Sequence, residues 1–190
     1  MSAPADTGKT KKCRIAWISA ILVILLTAVL VWVNSVYVYV GGFYRRDSTQ
    51  LDLRGKKIST IEYIRLRQKL PDCVICWDVP IGGGAFDCQS EAIAVSAFSE
   101  DDIAQLAYFP ALTSLDLTAA DVSPALFEEI RAAYPALSLR WSIPIGEGRY
   151  PSDAESITLA NFDASELKLF DYFTALRAAD ARGCTCYDAL

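Results

Sequence analysis

The chain has 190 residues, 53% of them apolar and 22% charged, with a formal net charge of −5 and no histidine. The length allows one domain of ordinary size, and the acidic balance argues against nucleic acid as a partner. Without imidazole the chain lacks the commonest general base and metal ligand at neutral pH, so serine or cysteine hydrolysis loses its usual partner and no enzyme is expected.

In chain order, residues 1–14 read as a short tail carrying Lys9, Lys11, Lys12 and Arg14. No charged residue then occurs until Arg45, and 15–37 is long and apolar enough to cross a bilayer core of about 30 Å as a helix. A cleaved signal peptide competes with this reading. It would place small residues at its cleavage site, and "VWVNSVYVYV" offers large ones. The expectation is an uncleaved single-pass anchor, N-terminus cytoplasmic, because the basic cluster abuts the helix on a tail too short to fold.

The remainder, 38–190, is expected to start in "VYVYV", residues 36–40, read as a first strand that follows the span without a linker. Residues 45–72 hold 8 Lys/Arg against 4 Asp/Glu, and 73–190 hold 6 against 18, so a basic segment beside the membrane precedes an acidic body. Shifting the sequence by 64 aligns 51–114 with 115–178 without a gap, with 18 of 64 positions identical. Asp180-Ala181-Arg182-Gly183 then opens a partial third copy, 179–190, and "VGGFYRRDSTQLDL" at 40–53 parallels 145–159.

Within each copy three apolar alternations mark strands, at Leu51/Leu53, Ile75/Trp77/Val79 and Ile93/Val95 in the first. Their starts are 24, 18 and 22 residues apart. Helical stripes fill the longer connections, at Ile103/Leu106/Phe109, Phe127/Ile130/Tyr134 and Leu167/Phe170/Phe173. The 18-residue connections, "GGGAFDCQSE" and "GEGRYPSDAE", are polar and glycine-rich and read as loops. Their glycines do not form a phosphate loop, because no Lys-Ser/Thr pair or G-x-G-x-x-G helix start follows. Trp77 and Trp141 share parity with buried neighbours and should fill the core, while Pro80 and Pro144 should end their strands. Ser99 with Asp101 and Asp102 reads as a helix cap rather than an acid/base pair.

Cys73-x-x-Cys76 lies on a strand rather than at a helix start, which argues against a redox motif. An exported body permits one disulfide, Cys76–Cys88, across the glycine loop; Cys184 and Cys186 are too close for easy closure. Neither a metal nor a cofactor is expected.

A strand, a short helix and L-x-L cores at this period, as in "FPALTSLDLTAADV" at 109–122, resemble the leucine-rich-repeat family. Ala119 and Ala120 stand where that family's turn asparagine would be sought. The phrases "LDLRG", "WDVP-GGG" and "DARGC" are also similar to those of a group of membrane-anchored bacterial proteins of this type, which supplies no activity to borrow. The resemblance implies an α/β fold: an N-terminal transmembrane helix followed by a leucine-rich-repeat-like parallel-strand solenoid, with irregular 24/18/22-residue coils in a 64-residue super-repeat.

On such a solenoid the residues between buried strand positions form one open face: Asp52, Arg54, Asp78, Asp116, Thr118, Arg140, Ser142, Thr158, Asp180 and Arg182. The expectation is a membrane-anchored, extracytoplasmic, non-catalytic binding or scaffolding module for a protein, peptide or cell-wall ligand. The alternatives are a truncated piece of a longer repeat protein and a non-catalytic anchor subunit of an envelope enzyme.

Overall fold

A computed structural model describes residues 7–183, with side-chain burial for 17–182. Cys184 and Cys186, with most of the partial third copy, lie outside the described residues. The chain is a mixed α/β protein with one N-terminal apolar helix and short strands in small sheets. It divides into two compact units, Met1–Leu51 with Ile61–Ile75, and Asp52–Thr60 with Cys76–Leu190.

In the first unit, α1 (Thr7–Val36) starts within the expected tail and ends one residue before the expected boundary. Its window Trp17–Val36 has a mean hydropathy of 2.4 and none of it is buried. Twenty residues at 1.5 Å per residue span about 30 Å, enough to cross a bilayer core. The Thr27 and Ser35 hydroxyls donate back to the Ile24 and Trp32 carbonyls, so neither leaves an unpaired polar group on the apolar surface.

"VYVYV" does not open a parallel array. Its residues form β1 (Tyr37–Tyr39), which folds back antiparallel on β2 (Phe43–Arg45), the turn using Gly41 at φ 62°. Next come β3 (Gln50–Asp52), α2 (Thr60–Lys69) and β4 (Val74–Cys76), with β3 hydrogen-bonded to β4. Within this unit Leu66 and Cys73 are buried, and Arg67 Nη1 donates to the Cys73 carbonyl at 2.8 Å, tying α2 to the chain that follows it.

The second unit opens with a hairpin, β5 (Asp78–Ile81) with β6 (Gly84–Asp87), followed by β7 (Ala92–Ala94) and α3 (Glu100–Gln105), which tightens into a 3-10 turn at Leu106–Tyr108. Then come β8 (Ser114–Leu117), α4 (Pro124–Ala133), β9 (Ser138–Ile145), β10 (Gly148–Pro151), β11 (Ser156–Ala160), a 3-10 helix at Ala164–Tyr172, and β12 (Ala178–Gly183). Strands β7, β8 and β9 are parallel, β10 returns antiparallel beside β9, and β11 pairs parallel with β12. Leu115, Leu117, Trp141, Ile143 and Ile145 have no exposed surface, while Asp116 and Arg140, on the alternate positions of β8 and β9, are not buried.

The 18-residue connections are not loops, because each contains the return strand of a hairpin, β6 or β10. Pro80 and Pro144 lie inside strands. A two-residue loop makes Ile81/Gly84 and Ile145/Gly148 the closing hydrogen-bonded pairs, so each proline falls on the next, non-hydrogen-bonded pair, where no N–H is required. The hairpins also interrupt the sheet. The neighbours Cys76 and Trp77 offer their carbonyls to opposite sides, one to Leu53 N–H and the other to Cys88 N–H. The return strand therefore takes the edge that the next parallel strand would have needed.

The 64-residue offset reappears in the bonding. Hairpin register 78↔87 to 81↔84 recurs as 142↔151 to 145↔148, and parallel register 92↔114 as 156↔178. Cys88 N–H to Trp77 O recurs as Ser152 N–H to Trp141 O. Gly82 N–H donates to Asp102 Oδ1 at 3.2 Å, and Gly146 N–H donates to Glu166 Oε2 at 3.1 Å. Edge-to-face contacts of Trp77 with Tyr108 (5.6 Å) and of Trp141 with Tyr172 (5.4 Å) keep the same offset.

Candidate functional site

The polar strand face is built from Asp-x-Arg/Thr turns. Asp52 accepts from the Arg54 backbone N–H at 3.1 Å, Asp116 from that of Thr118 at 2.8 Å, and Asp180 from that of Arg182 at 3.1 Å. Each is an aspartate bonding its own backbone two residues on, which fixes the direction of the carboxylate.

Three groups of the ten expected residues result. Asp116, Thr118 and Arg140 meet where Asp116 of β8 stands in register beside Arg140 of β9. The Thr118 hydroxyl donates to Asp116 Oδ1 at 2.6 Å, Arg140 Nη1 to Asp116 Oδ2 at 3.2 Å, and Arg140 Nε to Asp153 at 3.0 Å. Asp52, Arg54 and Asp78 form the second group. Arg54 clamps Asp52 through two bonds of 2.9 and 2.6 Å and reaches Asp87 at 3.1 Å, while Asp78 accepts from Gly55 N–H at 2.6 Å. Thr158 is opposite Asp180 in the β11–β12 register, and Arg182 folds onto Asp180. Ser142 departs from the expected open face. It is buried, its hydroxyl donating to the Thr118 carbonyl at 2.8 Å.

Asp87 and Asp153 complete these clusters and were absent from the expected set. Both lie in segments read as loops, and once those segments are folded as hairpins the two carboxylates come back beside the strand they started from.

The pairing shows in the ionisation of the carboxylates. Hydrogen bonds from the Arg54 side chain and backbone hold Asp52 down to about 2. Asp87 is lowered by the Gln89 backbone N–H and by Arg54. At Asp116 burial opposes ionisation, but the hydrogen bonds from Thr118 and Arg140 together outweigh it, and its pKa is also lowered.

Beneath this face, Phe127 stacks on Trp141 at 4.4 Å and Tyr172 stands edge-on to both. A recess of about 300 Å³ opens there, with Arg131 and Asp171 also in its wall. The indole N–H of Trp141 has no hydrogen-bond acceptor among the described residues. Trp77 and Trp141 are core residues, as expected.

Cys73, Cys76 and Cys88 are buried free thiols. Continuing the β5–β6 register places Trp77 opposite Cys88 and Gln89 opposite Cys76, and Gln89 Nε2 donates to Cys76 Sγ at 3.5 Å, so the two thiols of the expected disulfide stand one residue out of step. Burial raises the Cys88 and Cys73 pKa values, which disfavours the reactive thiolate. Among the described residues no three His, Cys, Asp or Glu side chains converge as a metal site. Comparison with family models, curated proteins and solved structures finds no match for this chain.

Proposed function

We propose that this chain is a membrane-anchored, extracytoplasmic, non-catalytic binding or scaffolding module of leucine-rich-repeat-like build. In this reading α1 is the single span, with the N-terminus cytoplasmic. The body extends the 64-residue bonding pattern as a solenoid interrupted by hairpins, and its strand face meets a protein, peptide or cell-wall ligand.

The observation that carries the reading is the state of Arg140. Its side chain is 48% exposed yet held between Asp116 and Asp153. Surface ion pairs of this kind add little to stability. They do fix the direction of a guanidinium and two carboxylates before any partner arrives, which lowers the ordering cost of binding.

The test places a photo-crosslinking residue at Ala94, exposed and in register beside Asp116, and a control at Glu129 on the exposed side of α4. In native membranes position 94 should give a discrete adduct and position 129 none. Arg140→Glu should remove the adduct while the fold survives, at a cost of about 1–2 kcal/mol, because two surface ion pairs are lost and a carboxylate is set between Asp116 and Asp153. Equal labelling from both positions, or an adduct indifferent to Arg140→Glu, would overturn the assignment of this face.

A further inference from the structure

We infer that the β1–β2 hairpin is an interfacial anchor whose Tyr37, Tyr39 and Phe43 rings sit in the headgroup–acyl boundary of the lipid bilayer. The inference rests on the reading of α1 as a membrane span and adds to it a second point of lipid contact.

Four observations converge. First, β1 begins at the residue after α1 ends, so no linker separates the hairpin from the end of the apolar helix. Second, the two faces of β1 differ. Val38 and Val40 are buried, whereas Tyr39 is 64% and Phe43 is 67% exposed. Phe43 packs on Tyr39 at 5.0 Å and edge-on to Tyr37 at 6.5 Å, so the uncovered side is one continuous aromatic surface.

Third, the hairpin is fixed to the helix end. Arg46 N–H donates to the Val36 carbonyl at 2.9 Å and Arg46 Nε to the Asn34 carbonyl at 3.0 Å, satisfying two carbonyls that the end of a helix leaves open. The rings therefore keep a constant height relative to the last turn of α1. Fourth, outside α1 five of the six large apolar side chains exposed among the described residues belong to the helix-bearing unit: Tyr39, Phe43, Ile61, Ile64 and Val74, with Leu167 the exception.

Chemistry favours lipid as the occupant. Tyrosine and its aromatic relatives concentrate where one end of the ring is apolar and the other wet, the composition of the membrane boundary. A two-stranded hairpin is marginal in water on its own, and a boundary layer that covers its aromatic side removes that exposed surface.

The experiment uses the full chain in phosphatidylcholine vesicles containing lipids brominated on the upper acyl carbons. Phe43→Trp is made in a Trp17→Phe/Trp32→Phe background, and the emission of the parent, which retains Trp77 and Trp141, is subtracted. The bromines should quench the indole introduced at position 43 at least about twofold more than the two remaining tryptophans, and aqueous iodide should quench it weakly. The native Trp17 and Trp32 signal, taken as wild type minus parent, reports α1 separately.

If Trp17 and Trp32 are quenched by bromine while the introduced indole is quenched only by iodide, the hairpin inference fails and the span stands. If the introduced indole is shielded from both quenchers, a protein surface covers the hairpin and the inference again fails. If all three are quenched by iodide alone, the span reading falls and takes the hairpin with it. Tyr39→Trp in the same background repeats the measurement should Phe43→Trp fold poorly.

Discussion

Gly82 and Gly83 follow one another in the β5–β6 turn at φ 60° and 76°, yet only one of them has no room for a side chain. A Cβ at Gly82 would lie 2.5 Å from Val95 Cβ and 2.6 Å from the Ala97 carbonyl oxygen, whereas one at Gly83 meets nothing within 4 Å. Gly83→Ala should cost about 1–2 kcal/mol for the left-handed backbone alone, and Gly82→Ala clearly more, as urea denaturation of the two variants will report. Gly146 repeats the Gly82 situation, with the Ala160 carbonyl oxygen 2.5 Å from its missing Cβ. Charge supplies a second prediction. Because the folded-state pKa of Asp52 is depressed, to about 2 from 3.8, its stabilising contribution is complete above pH 3.8 and fades as pH falls toward 2. Asp52→Asn should therefore flatten the fall in melting temperature across that window. At this scale the sequence was legible where parity decides: Trp77 and Trp141 had to be buried beside their alternating neighbours, and Ser99 with Asp102 had to cap. It was illegible for Asp87, Asp153 and Ser142, whose surroundings depend on a strand that composition alone does not reveal.

Among the elements, hydrophobic spacing held more information than an assignment of helix uses. Phe127, Ile130 and Tyr134 step by three and then four, and they lie on or just beyond α4. Leu167, Phe170 and Phe173 step by three throughout, the period of a 3-10 helix, and the chain there is 3-10 from Ala164 to Tyr172. Ile103, Leu106 and Phe109 share that step, and α3 tightens into 3-10 at Leu106. The hairpins were missed for the opposite reason. Glycine and charge in "GGGAFDCQSE" dilute the alternation that marks a strand, and the two-residue turn at Gly82-Gly83 was the surviving signal. The start of the last 3-10 helix offers a clean test, since Glu166 accepts from both the Asp163 and the Gly146 N–H groups at 3.1 Å. Glu166→Ala should cost about 1–2 kcal/mol, at the upper end of a capping loss, because a second donor is orphaned with it. For the aromatic cluster, Trp141→Ala should cost about 3–5 kcal/mol, and a double-mutant cycle with Phe127→Ala should return a coupling of about 0.5–1.5 kcal/mol.

Over the whole molecule the offset of 64 residues governs more than sequence identity suggests. With 18 of 64 positions identical, hairpin register, parallel register, turn-to-cap bonds and tryptophan–tyrosine contacts all recur. The recurring bonds are mostly main chain to main chain, so side chains could diverge while the pattern persisted. One further consequence follows from the junction where Arg46 grips the last carbonyls of α1. A helix joined to its neighbour by a slack tether can roll about its own axis at no cost, and this one is denied that freedom. Inserting one alanine into the middle of α1 would swing everything beyond it by about 100° relative to the first half of the helix, while inserting a full heptad would restore the angle to within about 20°. Azimuth, and not only depth, is thus written into where the rod stops.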